Sequence, residues 1–374
     1  MKVLFCSPYL DSPDVVRGGI NQWGRNYMSY YKEYGNKDIE LIPVSFDRHL
    51  YLSNGDVPLW KRIWSGIKEQ GVAVLRAKSL MKQHKPDMVH ICTSAGMGLI
   101  KDMLLIRAAK KYGSKTALHL HFGRTPDLLS GNNWEAKLFQ CVLNNCDVPI
   151  AMNQPTMRAL KDYGYTTAEY LPNPLPLDII HQVKKFEGTI KRKSNTVLYV
   201  GHVTRTKGVY ELVEACSQLD GISLRIVGKC PPADRIALLD ISSKKDGNSW
   251  IEFVGEVSHE QVLKELFEAD IFGFPSYSEG FPNVILEAMA CGCAIASSSV
   301  GAIPEMLDIE GAPCGICYPP KSVDAVKESI EQLLNNPQQK KQYVEKAGKR
   351  VFDMYAMPKV WKQMVKIWEQ SCSD

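Results

Sequence analysis

Residues 196–208, TVLYVGHVTRTKG, begin as an apolar run rich in strand-forming side chains and pass through Gly201 into a basic loop that leads to a helix. A short apolar run closed by glycine predicts a strand buried on both faces. The same unit recurs downstream in LRIVGK (224–229), IEFVGE (251–256), DIFGFP (270–275) and CAIASSS (293–299), each followed by a stretch suited to a helix. Upstream the pattern is KVLFC (2–6), IELIPV (39–44), DMVHIC (87–92), TALHLH (116–121) and VPIAM (148–152), with helices from about Ile20, from about Leu59, through LLIRAAKKYG (104–113) and over Trp134 to Leu143. Such alternation predicts parallel sheets covered by helices. LPNPLP (171–176) interrupts it, because three alternate prolines continue neither element. The expected fold class is therefore α/β, with two doubly wound Rossmann-like domains, 1–172 and 173–354, facing each other across a cleft where ligands meet the C-terminal strand ends.

The composition of the 374 residues, 45% apolar and 23% charged, is that of a globular chain. A net charge of +4 is too small to call for a nucleic acid partner. It is unevenly spread: between Lys61 and Lys115 twelve basic residues face three acidic ones, which favours an anionic partner for the first half. No run reaches the length needed to span a bilayer, and the first apolar stretch breaks at Ser7-Pro8, short of a signal-peptide core, so a cytoplasmic location is expected. Eleven irregularly spaced cysteines read as reduced thiols. Cys291, Cys293, Cys314 and Cys317 are either a zinc or redox cluster or, the reading adopted, small hydrophobes of the core.

The stretch SEGFPNVILEAMACG (278–292) carries the most chemistry. Glu279 falls in the loop after a buried strand. Pro282 and Asn283 suit a helix start, whose N–H groups attract phosphate. Eight positions on, Glu287 lies in an otherwise apolar helical run and needs a partner, for which a pair of ligand hydroxyls would serve. Glu279-Gly-Phe-Pro with Glu287-Ala-Met-Ala, then Gly292 and the turn from Gly301 to Glu305, resembles the paired-glutamate motif of the retaining glycosyltransferases of family 4, which have the GT-B fold. The resemblance implies that Glu287 holds the ribose of a nucleotide-sugar donor and that Glu279 lies near the donor sugar. Gly280, Phe281, Pro282 and Asn283 would meet the sugar and diphosphate.

Further positions follow from the same resemblance. In the loop 201–208, Lys207 would bind diphosphate, but His202 stands where the family usually has arginine. Arg205 either supplies that charge or faces solvent. Gly18 and Gly19 match a family glycine pair and either admit a ligand to the backbone or form a tight turn. His121 matches a histidine that contacts the donor sugar; His119 is expected on the other side of the strand as a satisfied core histidine. A helical tail at about 355–374 would pack back on the first, acceptor-binding domain.

These features imply a metal-independent retaining hexosyltransferase that needs no cofactor. It would move sugar from a nucleoside-diphosphate donor, UDP-linked rather than GDP-linked, to a glycan or polyprenyl-diphosphate-linked acceptor in cell-surface polysaccharide synthesis. The absence of an Asp-x-Asp motif and the cations of the 201–208 loop support metal independence. The alternatives are a sugar-nucleotide epimerase of the same fold and a non-catalytic thiol or zinc protein. The helix at Leu59–Lys68 places Leu59, Trp60, Ile63, Trp64 and Ile67 on one face, which either packs on the sheet or rests on an anionic membrane surface as part of a peripheral attachment.

Overall fold

A computed structural model describes residues 1–8, 18–35, 38–46, 59–243, 245 and 249–373, with side chains of the helix Leu59–His84 described from Lys68 onward. The chain divides into two compact units, Met1–Asn173 with Val360–Asp374, and Pro174–Lys359.

In the first unit, β1 (Lys2–Ser7), β2 (Glu40–Ser45), β3 (Met88–Thr93), β4 (Lys115–Leu120), β5 (Val148–Ala151) and β6 (Glu169–Tyr170) form a parallel sheet of order β2-β1-β3-β4-β5-β6. In the second, β7 (Lys193–Val200), β8 (Ser223–Val227), β9 (Ile251–Gly255), β10 (Ala269–Phe274), β11 (Ala294–Ser298) and β12 (Ile316–Tyr318) pair in the order β12-β11-β10-β7-β8-β9, again all parallel. Every residue of β3 and of β10 is buried, the outcome when helices cover both faces. The strand order reverses between β1 and β3 in one sheet and between β7 and β10 in the other. Ligands of open parallel sheets bind beyond the strand ends at such points.

The tail helix Met357–Ser373 belongs largely to the first unit, where Val360, Trp361, Met364, Ile367 and Trp368 are buried on one helical stripe. Trp361 lies against Tyr27 and Tyr30 at ring separations of 6.2 and 5.7 Å, and Gln363 Nε2 donates to the Tyr170 carbonyl at 2.9 Å. Among the described residues, no helix is long and apolar enough to cross a membrane.

All eleven cysteines are free. Cys291, Cys293 and Cys314 are buried, and burial pushes the thiols of Cys293 and Cys314 up to about 11. Such thiols are inert packing groups. The Cys293 thiol donates to the Leu266 carbonyl at 2.9 Å, and Cys317 is exposed. This arrangement favours the core reading for Cys291, Cys293 and Cys314; for Cys317 it corrects that reading, because its position in the edge strand β12 leaves it exposed.

Candidate functional site

In the second unit the site is assembled from the loops that follow β7 and β10, the two strands at the switch point. Gly208 makes their approach feasible: its φ is +69°, and a Cβ there would stand 2.0 Å from the Pro275 carbonyl oxygen. The Tyr277 N–H completes the contact by donating to the Thr206 carbonyl at 2.9 Å. On its other side the Glu279 loop meets Gly301, where φ is +56° and a Cβ would lie 2.2 Å from the Glu279 carbonyl oxygen. The Ala302 N–H donates to the Gly280 carbonyl at 3.0 Å. Only glycine, with no Cβ, permits these two close approaches.

Held in this way, Glu279 accepts a hydrogen bond from Lys207 Nζ at 2.6 Å. The carboxylate side chain is 13% exposed and the lysine 34%, so the pair is only partly screened by water. Arg205 takes a different position, with its guanidinium 3.9 Å from the centre of the Tyr210 ring, while the Tyr210 hydroxyl donates to Asp234 at 2.7 Å. Arg205 is thus an exposed cation stacked on an aromatic face, an arrangement that leaves both alternatives for its role open. Tyr199 donates from its hydroxyl to the His202 carbonyl at 3.0 Å, which ties down the residue standing at the family's arginine position. Burial raises the Tyr199 pKa, and the Glu279 charge adds to the effect.

The helix Asn283–Ala290 starts after Pro282, which occupies the cap position without a side-chain hydrogen bond. Phe281 is buried and meets Tyr355 edge-on at 5.8 Å, anchoring the turn from loop to helix. Glu287 is 9% exposed, and its Oε1 lies 3.1 Å from Nε2 of His259. The hydrogen bond to Glu287 is the largest influence on His259 and raises its pKa, desolvation opposing it. The protein partner of Glu287 was not legible in its own segment, because His259 is 28 residues away and joins it only through tertiary packing.

In the first unit, Gly18 and Gly19 open the helix Gly18–Tyr34 that follows β1. A Cβ on Gly19 would meet nothing within 4 Å, so no close approach within the fold demands glycine there. His121 stands just beyond β4, its N–H donating to the Thr93 carbonyl at 2.9 Å. Its ring lies 4.1 Å from that of His119. The two histidines therefore share a side, which corrects the expectation of opposite sides: residues two apart on a strand face the same way.

His119 is a core residue, as expected, but neither ring nitrogen meets a protein hydrogen-bond partner, so it is not a satisfied one. Around it are Trp23, edge-on at 4.9 Å, and His90, edge-on at 5.4 Å. Burial lowers the pKa of all three histidines, to about 3 for His90 and His121. The donor atoms of His90, Cys92 and His119 lie within 4.8 Å of one another, a spacing that invites comparison with a metal site. The Trp368 indole N–H, however, donates to His90 Nδ1 at 3.1 Å. A neutral His90 then carries its proton on Nε2 and has no lone pair left for a metal, so the donor set does not fit one while that bond stands.

Lys207 and Glu279 are thus brought together, with Gly280 to Pro282 in the same loop and Asn283 and Glu287 on the helix it feeds. Gly18, Gly19 and His121 belong to the first unit. Arg17, which precedes the glycine pair, lies outside the described residues, as do the side chains of Leu59, Trp60, Ile63, Trp64 and Ile67.

Two six-stranded parallel sheets with flanking helices define an α/β protein of the GT-B class, the fold expected from the sequence. Among solved structures, HepE from Anabaena in complex with UDP superposes with a TM-score of 0.72 at 15% identity, over 99% of this chain and 100% of that one. Residues 181–350 match the family model of glycosyl transferases group 1. The chain is 26% identical over 201 residues to a putative teichuronic acid biosynthesis glycosyltransferase, TuaC of Bacillus subtilis, covering 52% of this chain and 48% of TuaC. It is 25% identical to the uncharacterized glycosyltransferase MJ1178 of Methanocaldococcus jannaschii over 99% of this chain and 98% of that protein. Against TuaC and several other curated relatives, the chain spans about half their length.

Proposed function

We propose that the chain is a retaining glycosyltransferase that takes a sugar from a UDP-linked donor and passes it to a glycan or polyprenyl-diphosphate-linked acceptor in cell-surface polysaccharide synthesis. The observation that carries this reading is the Lys207–Glu279 pair, built on the two switch-point loops of the second sheet beside the helix that bears Glu287. The group 1 match over 181–350 and the UDP held by HepE support it.

In this reading Lys207 leaves Glu279 for the donor diphosphate and neutralises charge as the phosphate departs. The start of the helix Asn283–Ala290 adds its positive dipole end. Glu279, released from the lysine, faces the sugar and stabilises the positive charge that develops as the glycosidic bond breaks. Glu287 accepts from the ribose hydroxyls, and His121, in the first unit, keeps the role toward the sugar that the resemblance implies. Arg205 and Lys207 supply the cationic charge that a metal provides in metal-dependent sugar transferases. The acceptor attacks from the face of the leaving group, whose phosphate oxygen takes the acceptor's proton.

A screen of nucleotide sugars by thermal stabilisation tests the donor. The true donor at a hundred times its Kd adds about 2.7 kcal/mol of stability and a matching rise in Tm. If no nucleotide or nucleotide sugar moves Tm, the donor site is refuted.

A lipid-linked acceptor would lie at a membrane, and we place the contact on the first unit. Val72 and Leu75, on the helix Leu59–His84, and Ile100 and Leu104, on the adjoining helix Gly98–Lys111, are exposed apolar side chains. Arg76, Lys82, Arg107, Lys110 and Lys111 are exposed on the same two helices. Each basic group near an anionic leaflet contributes about 1 kcal/mol. Flotation with anionic vesicles should recover the protein at low salt, whereas neutral vesicles, high salt, or Leu75→Glu with Ile100→Glu should release it. Equal recovery under all these conditions removes the membrane from the proposal.

A further inference from the structure

Glu287 has apolar neighbours along its helix, and its carboxylate is nearly removed from solvent. A carboxylate removed from solvent needs hydrogen-bond donors facing it. The fold supplies one from outside the paired-glutamate segment. His259 is the first residue of the helix His259–Glu268, whose start is fixed by Ser258 accepting from the Gln261 N–H at 3.2 Å. That helix packs on the one bearing Glu287, so the His259 backbone is anchored while its ring, 49% exposed, reaches Glu287 Oε1 at 3.1 Å. The charged groups acting on the ring are Glu287 and, from the helix Leu177–Phe186, Asp178. Both are acidic, and both favour a ring that donates.

We propose that His259 is a positioning residue for the nucleotide: it fixes the Glu287 carboxylate for the ribose hydroxyls and thereby sets the preference of this site for ribose over deoxyribose. The inference rests on the reading of Glu287 as the ribose ligand. An ionised carboxylate offers about four acceptor directions. His259 takes one, which leaves capacity for a diol while removing rotamer freedom that would otherwise be lost on binding. A carboxylate held in place also rejects a ligand lacking the hydroxyl more strongly than a mobile one, because it cannot turn away to find another donor. Neutral His259 protonated at Nε2 donates as the charged ring does, so the positioning does not require a charged histidine.

The test is calorimetric: the Kd of the nucleoside diphosphate selected by the donor screen, UDP or GDP, against that of its 2′-deoxy form. The wild type should prefer the ribose form by about tenfold or more, the range for a lost hydrogen bond to a charged group. Glu287→Ala should abolish the preference. His259→Ala should reduce it to about twofold or less, while His259→Gln, which keeps an N–H donor, should retain most of it. If Glu287→Ala abolishes the preference but His259→Ala leaves it whole, the positioning role fails and the ribose reading stands. If His259→Gln loses as much as His259→Ala, donation to Glu287 is not the means and the proposal fails. If Glu287→Ala keeps the preference, or the wild type has none, the ribose reading fails and the proposal with it.

Discussion

Replacing Glu279 with glutamine is expected to tighten UDP binding while lowering turnover about a hundredfold to a thousandfold, the cost of removing a single electrostatic stabiliser from a transition state. The opposite signs follow from the 2.6 Å pair. In the ligand-free chain Lys207 is held by Glu279, so diphosphate must displace a partly buried carboxylate to reach it. Glutamine keeps the shape but removes the charge, which frees the lysine for phosphate. UDP lacks the donor sugar that Glu279 faces and loses nothing by the change. The donor in its transition state loses the carboxylate that faces the developing positive charge. Lys207→Ala should instead weaken UDP binding about tenfold to a hundredfold, as expected for a lost charge-assisted contact. In the double variant the Glu279→Gln gain in UDP affinity should disappear, because no lysine remains to be freed. Titration calorimetry with UDP, and steady-state rates with the donor, separate the two effects. Weaker UDP binding by Glu279→Gln would show that the pair is not in competition with the ligand.

Acid should unfold the first unit well before ordinary carboxylate titration would. His90 and His119 are fully buried, and burial depresses their protonation, for His90 to about 3. In the unfolded chain both take up a proton near 6.5. Between those limits the unfolded state binds more protons than the folded one, so stability falls as pH falls. A histidine that stays neutral in the fold contributes a slope approaching about 1.4 kcal/mol per pH unit below 6.5, so at pH 5 His90 costs about 2 kcal/mol and His119 adds in the same direction. His121 acts in the same direction but is partly exposed and adds less. His259 acts in the opposite sense: its raised pKa means that pairing with Glu287 stabilises below about 6.5 and that this contribution is lost as pH rises through the folded-state pKa. Denaturant titrations followed by tryptophan fluorescence from pH 8 to pH 5 report on Trp23, Trp361 and Trp368 of this unit. His119→Leu should flatten the slope and raise stability at pH 5, since it removes a ring with two unpartnered nitrogens. A wild-type stability unchanged down to pH 5 would contradict the buried neutral histidines.

The strands most legible in the sequence are those buried on both faces. TVLYV and DIFGF show themselves as continuous apolar runs, and β7 and β10 are where the order reverses and the site forms. The strands β6 and β12, of two and three residues at the sheet edges, are too short to display any period. At the site, the spacing of Glu279 and Glu287 and the glycine of the Lys207 loop could be read locally. Their partnerships could not: Lys207 and Glu279 are 72 residues apart and meet only because Gly208 lets one loop rest on the other. The histidine cluster had a local signal in the strand parity of His119 and His121, but Trp368 reaches it from 278 residues beyond His90.

Sugar transfer itself is the decisive measurement. A labelled nucleotide sugar, taken from the donor screen, is incubated in EDTA with the purified chain and a polyprenyl-diphosphate glycan extract, and the label and nucleotide are followed together. Label passing to the lipid fraction with equal release of nucleoside diphosphate, the anomeric configuration of the donor kept in the product, and loss of both signals in Glu279→Gln are the expected results. Recovery of all the label as nucleotide sugar or its epimer, or transfer undiminished in Glu279→Gln, would contradict a retaining transferase centred on this loop.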